Sequence, residues 1–276
     1  MGRSRAVLVT GCSSGIGRAT ALALVRAGLP TWASARDPAS LADLEDAGCR
    51  TLRLDVTDEE SRLRAVEAVQ AEHGAVAALV NNAGYAQVGA VEEVPLEALR
   101  RQFETNVFGL VRLCQLVLPG MREQHYGTIV NVGSAAGLVT PPASSAYAMT
   151  KYALESLSDA LRLETRAFGV RVALLEPGAV RTRFTSTLAA GAPRRDLPGP
   201  YDTLIRNALA LAQREGAEGR GLAPEHIAEA VVHAVTSRRP RTRYRIGAQA
   251  RLGPPARRAM GDRLWDQVLG RVCPSQ

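Results

Sequence analysis

Short apolar runs alternate with longer amphipathic stretches along most of the chain, and this alternation restricts the fold more than any other feature. Residues 6–10, 31–35, 51–54, 77–81, 128–132, 170–175 and 244–246 are short and apolar, as parallel strands buried on both faces must be. Between them, residues 16–27, 40–47, 59–72, 96–118 and 145–168 carry amphipathic helical patterns. This β-α alternation predicts an α/β fold: one doubly wound parallel sheet of about seven strands with helices on both faces. No internal repeat or inter-domain linker interrupts it. The 276 residues read as one domain over residues 1–250, with a lid near 183–220. The stretch from Phe184 to about Pro200 is irregular and holds several Gly and Pro. Residues 251–276 read as a helical extension.

Composition narrows the functional classes. No run approaches the roughly 18 apolar residues of a membrane span, and the N-terminus enters the first strand without a signal peptide's apolar stretch. The four cysteines (Cys12, Cys49, Cys114, Cys273) are scattered and form no C-x-x-C. That suits a reduced, cytoplasmic protein. The four histidines are also scattered, so no metal site is expected. The net charge of +7 raises nucleic-acid binding. The arginines are spread, however, with one cluster over 238–245 and no interleaved aromatics, so no nucleic-acid partner is expected. Anionic cofactor phosphates are a better use of part of this charge.

The first strand ends in Thr10-Gly11-Cys12-Ser13-Ser14-Gly15-Ile16-Gly17 and a helix follows. Glycines there permit a tight turn and close approach of a pyrophosphate, and the helix N-terminus offers N–H donors and a positive dipole. The alternative is a turn with no ligand. The second strand ends at Ala35, with Arg36 and Asp37 next. A carboxylate there suits the ribose 2′-OH of NAD, an arginine the 2′-phosphate of NADP. Arg36 favours NADP, and Asp37 keeps NAD open if the register slips. The third strand closes with Asp55-Val56 and the fourth with Asn81-Asn82-Ala83-Gly84. The asparagines are expected both to brace the sheet and to hold a nucleotide, because polar groups ending a buried strand need partners. Asn106, interior to the 96–118 helix, is either a satisfied structural group or a kink.

The chain has one lysine, Lys151, among 34 basic residues, and it lies four residues after Tyr147. On a helix that spacing puts both side chains on one face. A free tyrosine titrates near pH 10, and a neighbouring ammonium lowers that value toward a useful general base. The bland alternative is a solvated pair on a surface helix. Ser134 ends the fifth strand, and the helix bearing Tyr147 starts near Ser144 or Ser145, candidate N-caps. Serine, tyrosine and lysine can therefore meet at one sheet edge. The turn after the sixth strand, Pro177-Gly178-Ala179-Val180-Arg181-Thr182, lies at the same edge.

Together these residues resemble the classical short-chain dehydrogenase/reductase family, with its Rossmann fold. The resemblance runs from about Arg5 to Thr182, and more loosely through the last strand. The motifs are T-G-x-x-x-G-I-G at Thr10–Gly17, N-N-A-G at Asn81–Gly84, Asn106, Ser134, Y-x-x-x-K at Tyr147–Lys151 and P-G-x-V-x-T at Pro177–Thr182. It implies an oxidoreductase interconverting a ketone or aldehyde and an alcohol with NADP(H), or alternatively NAD(H). Tyr147 would be the general acid/base and Ser134 would bond the substrate oxygen. Lys151 would bind the ribose and lower the tyrosine pKa, and Asn106 would hold a water in a proton relay. Gly11, Ser13, Ser14, Gly15, Ile16, Gly17, Arg36, Asp55, Val56, Asn82, Ala83, Gly84, Pro177, Gly178, Val180 and Thr182 would line the cofactor site beside Tyr147 and Lys151.

Some NADP-using members carry a basic residue where this chain has Ser14, which leaves NADP resting on Arg36. The glycine loop and the Glu176–Thr182 run are similar to the hydroxysteroid and retinol dehydrogenase branch. That implies a bulky apolar substrate, steroid-, retinoid- or polyketide-like, and a homodimer or homotetramer. A catalytically idle NADP-binding sensor is the alternative. Beyond the usual family end, Met260, Leu264, Val268 and Val272, with Trp265 and Leu269, make an apolar stripe at helical spacing. Arg257, Arg258 and Arg263 flank it. It is expected to pack on the lid or on a partner subunit, with docking on a membrane surface as the alternative.

Overall fold

The computed structural model describes residues 3–184, 188, 199–217 and 221–275. Seven strands form one parallel sheet: β1 (Val7–Val9), β2 (Thr31–Ala35), β3 (Arg50–Arg53), β4 (Ala78–Asn81), β5 (Gly127–Val132), β6 (Val170–Pro177) and β7 (Arg243–Ile246). Their order is β3-β2-β1-β4-β5-β6-β7. The order reverses between β1 and β4, and in such sheets the crevice at the carboxyl ends of those strands is where ligands sit.

The helices are α1 (Gly15–Arg26), α2 (Ala42–Asp46), α3 (Glu59–His73), α4 (Leu96–Phe103), α5 (Gly109–Glu123), α6 (Ser145–Thr165), α7 (Asp202–Ala217), α8 (Pro224–Thr236) and α9 (Ala248–Val272). Successive strand side chains point to opposite faces, so β4 sends Ala78 and Val80 into one core and Leu79 into the other. The first core takes Leu24 of α1 and Ile227, Val231 and Val235 of α8. The second takes Val66 and Val69 of α3, Leu113 and Val117 of α5, and Leu154 and Leu161 of α6.

Three expectations change. The single helix over 96–118 is two helices, α4 and α5, joined by a π turn over Glu104–Phe108, and α5 runs on to Glu123. Two helices were not anticipated. The first, α7, occupies part of the stretch expected to be lid. The second, α8, starts on Pro224, whose fixed φ and missing N–H suit a first helical turn. Most of the irregular stretch after Phe184, residues 185–187 and 189–198, lies outside the described residues. Among the described residues, no helix is long and apolar enough to cross a membrane, and no group of three or more His, Cys, Asp or Glu could hold a metal.

Candidate active site

One cleft of about 1210 Å³ opens at the carboxyl edge of the sheet, over the β1–β4 switch point. Its floor is the turn after β1. Gly11 and Gly15 have φ of +73° and +58°, a region that favours glycine. Gly17 has ordinary torsions, but a Cβ there would lie 2.3 Å from the Gly11 carbonyl oxygen. Gly17 thus lets α1 start against the turn. Unlike Gly11, Ser13, Ser14, Gly15 and Ile16, it does not line the cleft. Cys12, also in the turn, is buried in the core, and burial pushes its thiol up to about 12. The first N–H groups of α1 receive no side-chain cap from Ser14, so the helix end keeps donors for an anion.

The two asparagines ending β4 divide the work. Asn81 is buried, and its amide donates to Asn131 Oδ1 at 3.0 Å, while Asn131 donates to Ser158 at 2.9 Å. It braces β4, β5 and α6. Asn82 donates to the Thr10 and Gly11 carbonyls at 2.9 and 3.1 Å, and it lines the cleft with Ala83 and Gly84. Thr10, which sequence reasoning passed over except as a motif letter, fastens the same junction. Its hydroxyl oxygen accepts from Asn82 N and Ala83 N, both at 2.9 Å.

At the far side of the floor, β2 ends with Ala35 paired to Arg53, so Arg36 is the first residue beyond the strand and lines the cleft. Asp37 does not line it. Its carboxylate accepts from Ala39 N at 3.0 Å and caps the following turn. Asp55 and Val56 also line the cleft. Burial pushes the Asp55 carboxyl up, but it ends below its ordinary value. Two Thr57 hydrogen bonds and the charges of Arg36 and Arg53 outweigh the burial.

The candidate reactive groups come from β5 and α6. Ser134 follows β5 and lines the cleft with Tyr147; its hydroxyl oxygen accepts from Ala136 N at 3.1 Å. Lys151, one helical turn on, places Nζ 5.5 Å from the Tyr147 ring centroid. Nζ donates to the Val132 carbonyl at 2.8 Å. Burial pushes Tyr147 up to about 12 and only the neighbouring Ser134 side chain opposes it; burial draws Lys151 down to about 8. In the protein alone, then, Lys151 does not lower the tyrosine. Burial weakens both charged forms. The helix starts after Ser144, as expected, but that hydroxyl bonds the Pro142 carbonyl and makes no cap.

Asn106 does not reach the cleft. It sits buried in the π turn, where its amide nitrogen donates to the Tyr85 carbonyl at 3.0 Å and to the Thr150 hydroxyl at 3.1 Å, and its Oδ1 accepts from Tyr85 N at 3.2 Å. It is both the satisfied group and the kink. Thr150, beside Lys151, was not singled out from the sequence. No local signal connects it to a residue 44 positions away.

Pro177, Gly178, Val180 and Thr182 close the cleft over the glycine turn; a Cβ on Gly15 would meet Thr182 Cγ2 at 2.9 Å. Beyond them the wall turns apolar. Phe184 stands 5.5 Å from the Tyr147 ring, and Leu209, Ala212, Trp265, Leu269 and Val272 continue it.

Residues 5–192 match the family described as short chain dehydrogenase. The chain belongs to this family. Among curated proteins it is similar to an uncharacterized oxidoreductase of Escherichia coli, YbbO, at 34% identity over 96% of this chain and 94% of that one. It is also similar to retinol dehydrogenase 8 of Bos taurus, at 36% identity over 89% of this chain and 82% of that one. Among solved structures it resembles a short-chain dehydrogenase from Streptomyces avermitilis, with 35% identity, TM-score 0.80, and 96% and 97% of the two chains covered. A serine dehydrogenase complexed with NADP+ aligns at 28% identity and TM-score 0.75, over 87% and 93% of the two chains. A Burkholderia phymatum family member in complex with NAD aligns at 27% and 0.80, over 94% of each chain. This short chain dehydrogenase is accordingly an oxidoreductase that acts on a CH–OH group with NAD(P). The glycine turn, the uncapped α1 terminus and Arg36 fit such a dinucleotide.

Proposed function

We propose that the protein is an NADP(H)-dependent carbonyl reductase that converts a ketone or aldehyde on a bulky apolar substrate to the alcohol. The observation that carries this reading is the meeting of Ser134, Tyr147 and Lys151 in one cleft with the glycine turn, the Lys151 ammonium lying 5.5 Å from the Tyr147 ring centroid. A bound nicotinamide would supply the hydride.

The chain's own residues handle the oxygen. Ser134 and Tyr147 both donate hydrogen bonds to a carbonyl oxygen placed between them, polarising it and holding it still. As the oxygen gains charge, the Tyr147 proton moves to it. A phenol held near 12 keeps its proton at neutral pH, which favours the reductive direction. The Lys151 ammonium stabilises the phenolate that remains, and its bond to Val132 fixes its height above the sheet. Asn106 is a positioning residue acting through Thr150. Both its N–H groups are engaged, so any relay water would be held by its remaining lone pair or by the backbone of the π turn.

Arg36, at the end of β2, supports a 2′-phosphate and hence NADP over NAD. The apolar wall and the likeness to a retinol dehydrogenase support a bulky apolar substrate. The test is a screen of ketones with NADPH and NADH, run on the parent and Tyr147→Phe. The parent is expected to consume NADPH. Tyr147→Phe is expected to lose turnover while binding NADPH as before, by fluorescence titration. Retained turnover in Tyr147→Phe would overturn the assignment.

A further inference from the structure

We infer that residues 262–272, in the second half of α9, form the outer wall of the substrate end of the cleft and select a ketone or alcohol carrying an elongated alkyl chain, with Trp265 as the specificity-determining residue. This rests on the proposed carbonyl chemistry for the identity of the reacting group, though not for the binding of the chain.

The stripe read from the sequence divides in the structure. Met260 and Leu264 are exposed and away from the cleft, whereas Trp265 and Leu269 are half-buried and line it, with the exposed Val272 at its outer end. The division follows from Gly261, whose φ of 69° and ψ of 172° break α9 into two segments. A side chain would strain this backbone, and the break aims the second segment back across the cleft.

Both ends of the extension are tied. Gln249 Oε1 accepts from Ala179 N at 2.8 Å, at the cofactor side. Past the helix end, Asn207 of α7 donates to the Pro274 carbonyl at 2.8 Å, and the buried Cys273 thiol faces the Leu204 carbonyl at 3.8 Å. The second segment is thus held beside α7 as a fixed wall.

Its chemistry is uniform. Of the side chains that α7 and α9 bring to the cleft among the described residues, Glu215 alone is charged. Trp265 to Val272 extends the apolar surface by roughly 10 Å along the helix. A compact ketone beside Tyr147 and Phe184 would leave that length of wall in water. An alkyl chain would cover it and gain about fourfold in binding for each methylene buried.

Two measurements test this. The first is NADPH-dependent turnover of 2-butanone, 2-octanone and 2-dodecanone. In the parent, kcat/KM is expected to rise by 100-fold or more from butanone to dodecanone. In Trp265→Ala the dodecanone-to-butanone ratio should fall at least tenfold. A parent that ranks the three ketones equally, or a variant that keeps the parent's ratio, overturns the proposal.

The second measurement needs no turnover. The chain has two tryptophans, Trp32 and Trp265, and Trp32 is buried in the core. Titrating 2-dodecanol without cofactor should shift the parent's emission to the blue and leave Trp265→Phe unchanged. No shift in the parent, or the same shift in Trp265→Phe, overturns the wall. A shift confined to the parent, with no ketone turned over, supports the wall and counts against the reductase reading instead.

Discussion

The ammonium of Lys151 donates to the backbone carbonyl of Val132 at 2.8 Å, two residues before Ser134. The chain's one lysine therefore ties α6, which carries Tyr147, to β5, the strand that ends just before Ser134. An arginine there would carry the same charge on a larger, planar group that cannot fit a buried point contact beneath the tyrosine ring. Lys151→Arg is expected to lower kcat/KM at least about 30-fold, roughly 2 kcal/mol of transition-state stabilisation. A variant within threefold of the parent would show that charge alone suffices.

The two shifted groups fix the sign of the pH dependence. Tyr147 is pushed up to about 12 and Lys151 drawn down to about 8. Reduction needs the phenol protonated and the lysine charged. Its kcat/KM should be flat through neutral pH and decline above about 8, as the ammonium is lost. Oxidation needs the phenolate with the charged lysine. It should rise with pH up to about 8, then level, because further phenolate is offset by lost ammonium. Reduction that accelerates above pH 8 would contradict these assignments.

How far the sequence can be read depends on where each partner lies. The central strands were visible because strands buried on both faces are apolar runs, and the glycine turn because its residues are contiguous. The edge strands β3 and β7 carry arginines and are only partly buried, and were placed by their position in the alternation. Asn81 braces the sheet instead of holding a nucleotide, and of the residues expected to line the cofactor site or carry the chemistry, all but Gly17 and Asn106 line the cleft. These two serve it from behind, as close packing and as a π turn, and a helix with one extra residue keeps a helical hydrophobic pattern. The tyrosine pKa ran opposite to expectation for a related reason. The i to i+4 spacing shows that Lys151 shares a face with Tyr147, but not that both are desolvated. The direction of the C-terminal stripe was hidden in the torsion angles of Gly261.

A second group of charges, unmarked by any motif, lies beneath the same helix. Arg243 Nε is 3.1 Å from Glu155 Oε2 and 3.1 Å from Glu176 Oε1, and its Nη2 reaches Asp159 at 2.8 Å. Arg245 holds the other Glu176 oxygen at 2.9 Å. The Arg243 Nε–H donates to Glu155 Oε2, while Glu155 Oε1 and Glu176 Oε1 are both buried without a hydrogen-bond partner. Burial first, then the charges of Glu176 and Asp159, push Glu155 up to about 7 against the pull of Arg243.

A carboxyl raised on folding holds its proton in the folded chain across the window from its ordinary value to about 7. Stability therefore falls as pH rises through that window. Glu155→Gln removes the charge and keeps an acceptor for Arg243. It should raise Tm at pH 8 and change it little at pH 5. A drop in Tm at pH 8 would show that the charged pair outweighs its desolvation.

Cofactor choice follows from the end of β2. Arg36 lines the cleft directly beyond Ala35, while the Asp37 carboxylate is occupied by Ala39 N in the next turn. A guanidinium on a 2′-phosphate makes a charge-assisted contact worth roughly 1.5–3 kcal/mol. That corresponds to about a 10- to 150-fold preference for NADPH over NADH. Arg36→Ala should remove most of this preference by weakening NADPH alone, since NADH has no phosphate there to lose. It should also let the Asp55 carboxyl rise, because Arg36 helps hold it down. Asp37→Ala should lose a turn cap and some stability, with the cofactor ratio unchanged. The rival assignment gives Asp37 the ribose 2′-OH, and it requires the parent to prefer NADH and Asp37→Ala to swing toward NADPH. Comparing KM for both cofactors in the parent and the two variants separates them. An NADH-preferring parent would remove the phosphate role from Arg36 while leaving the fold and the Ser134–Tyr147–Lys151 geometry intact.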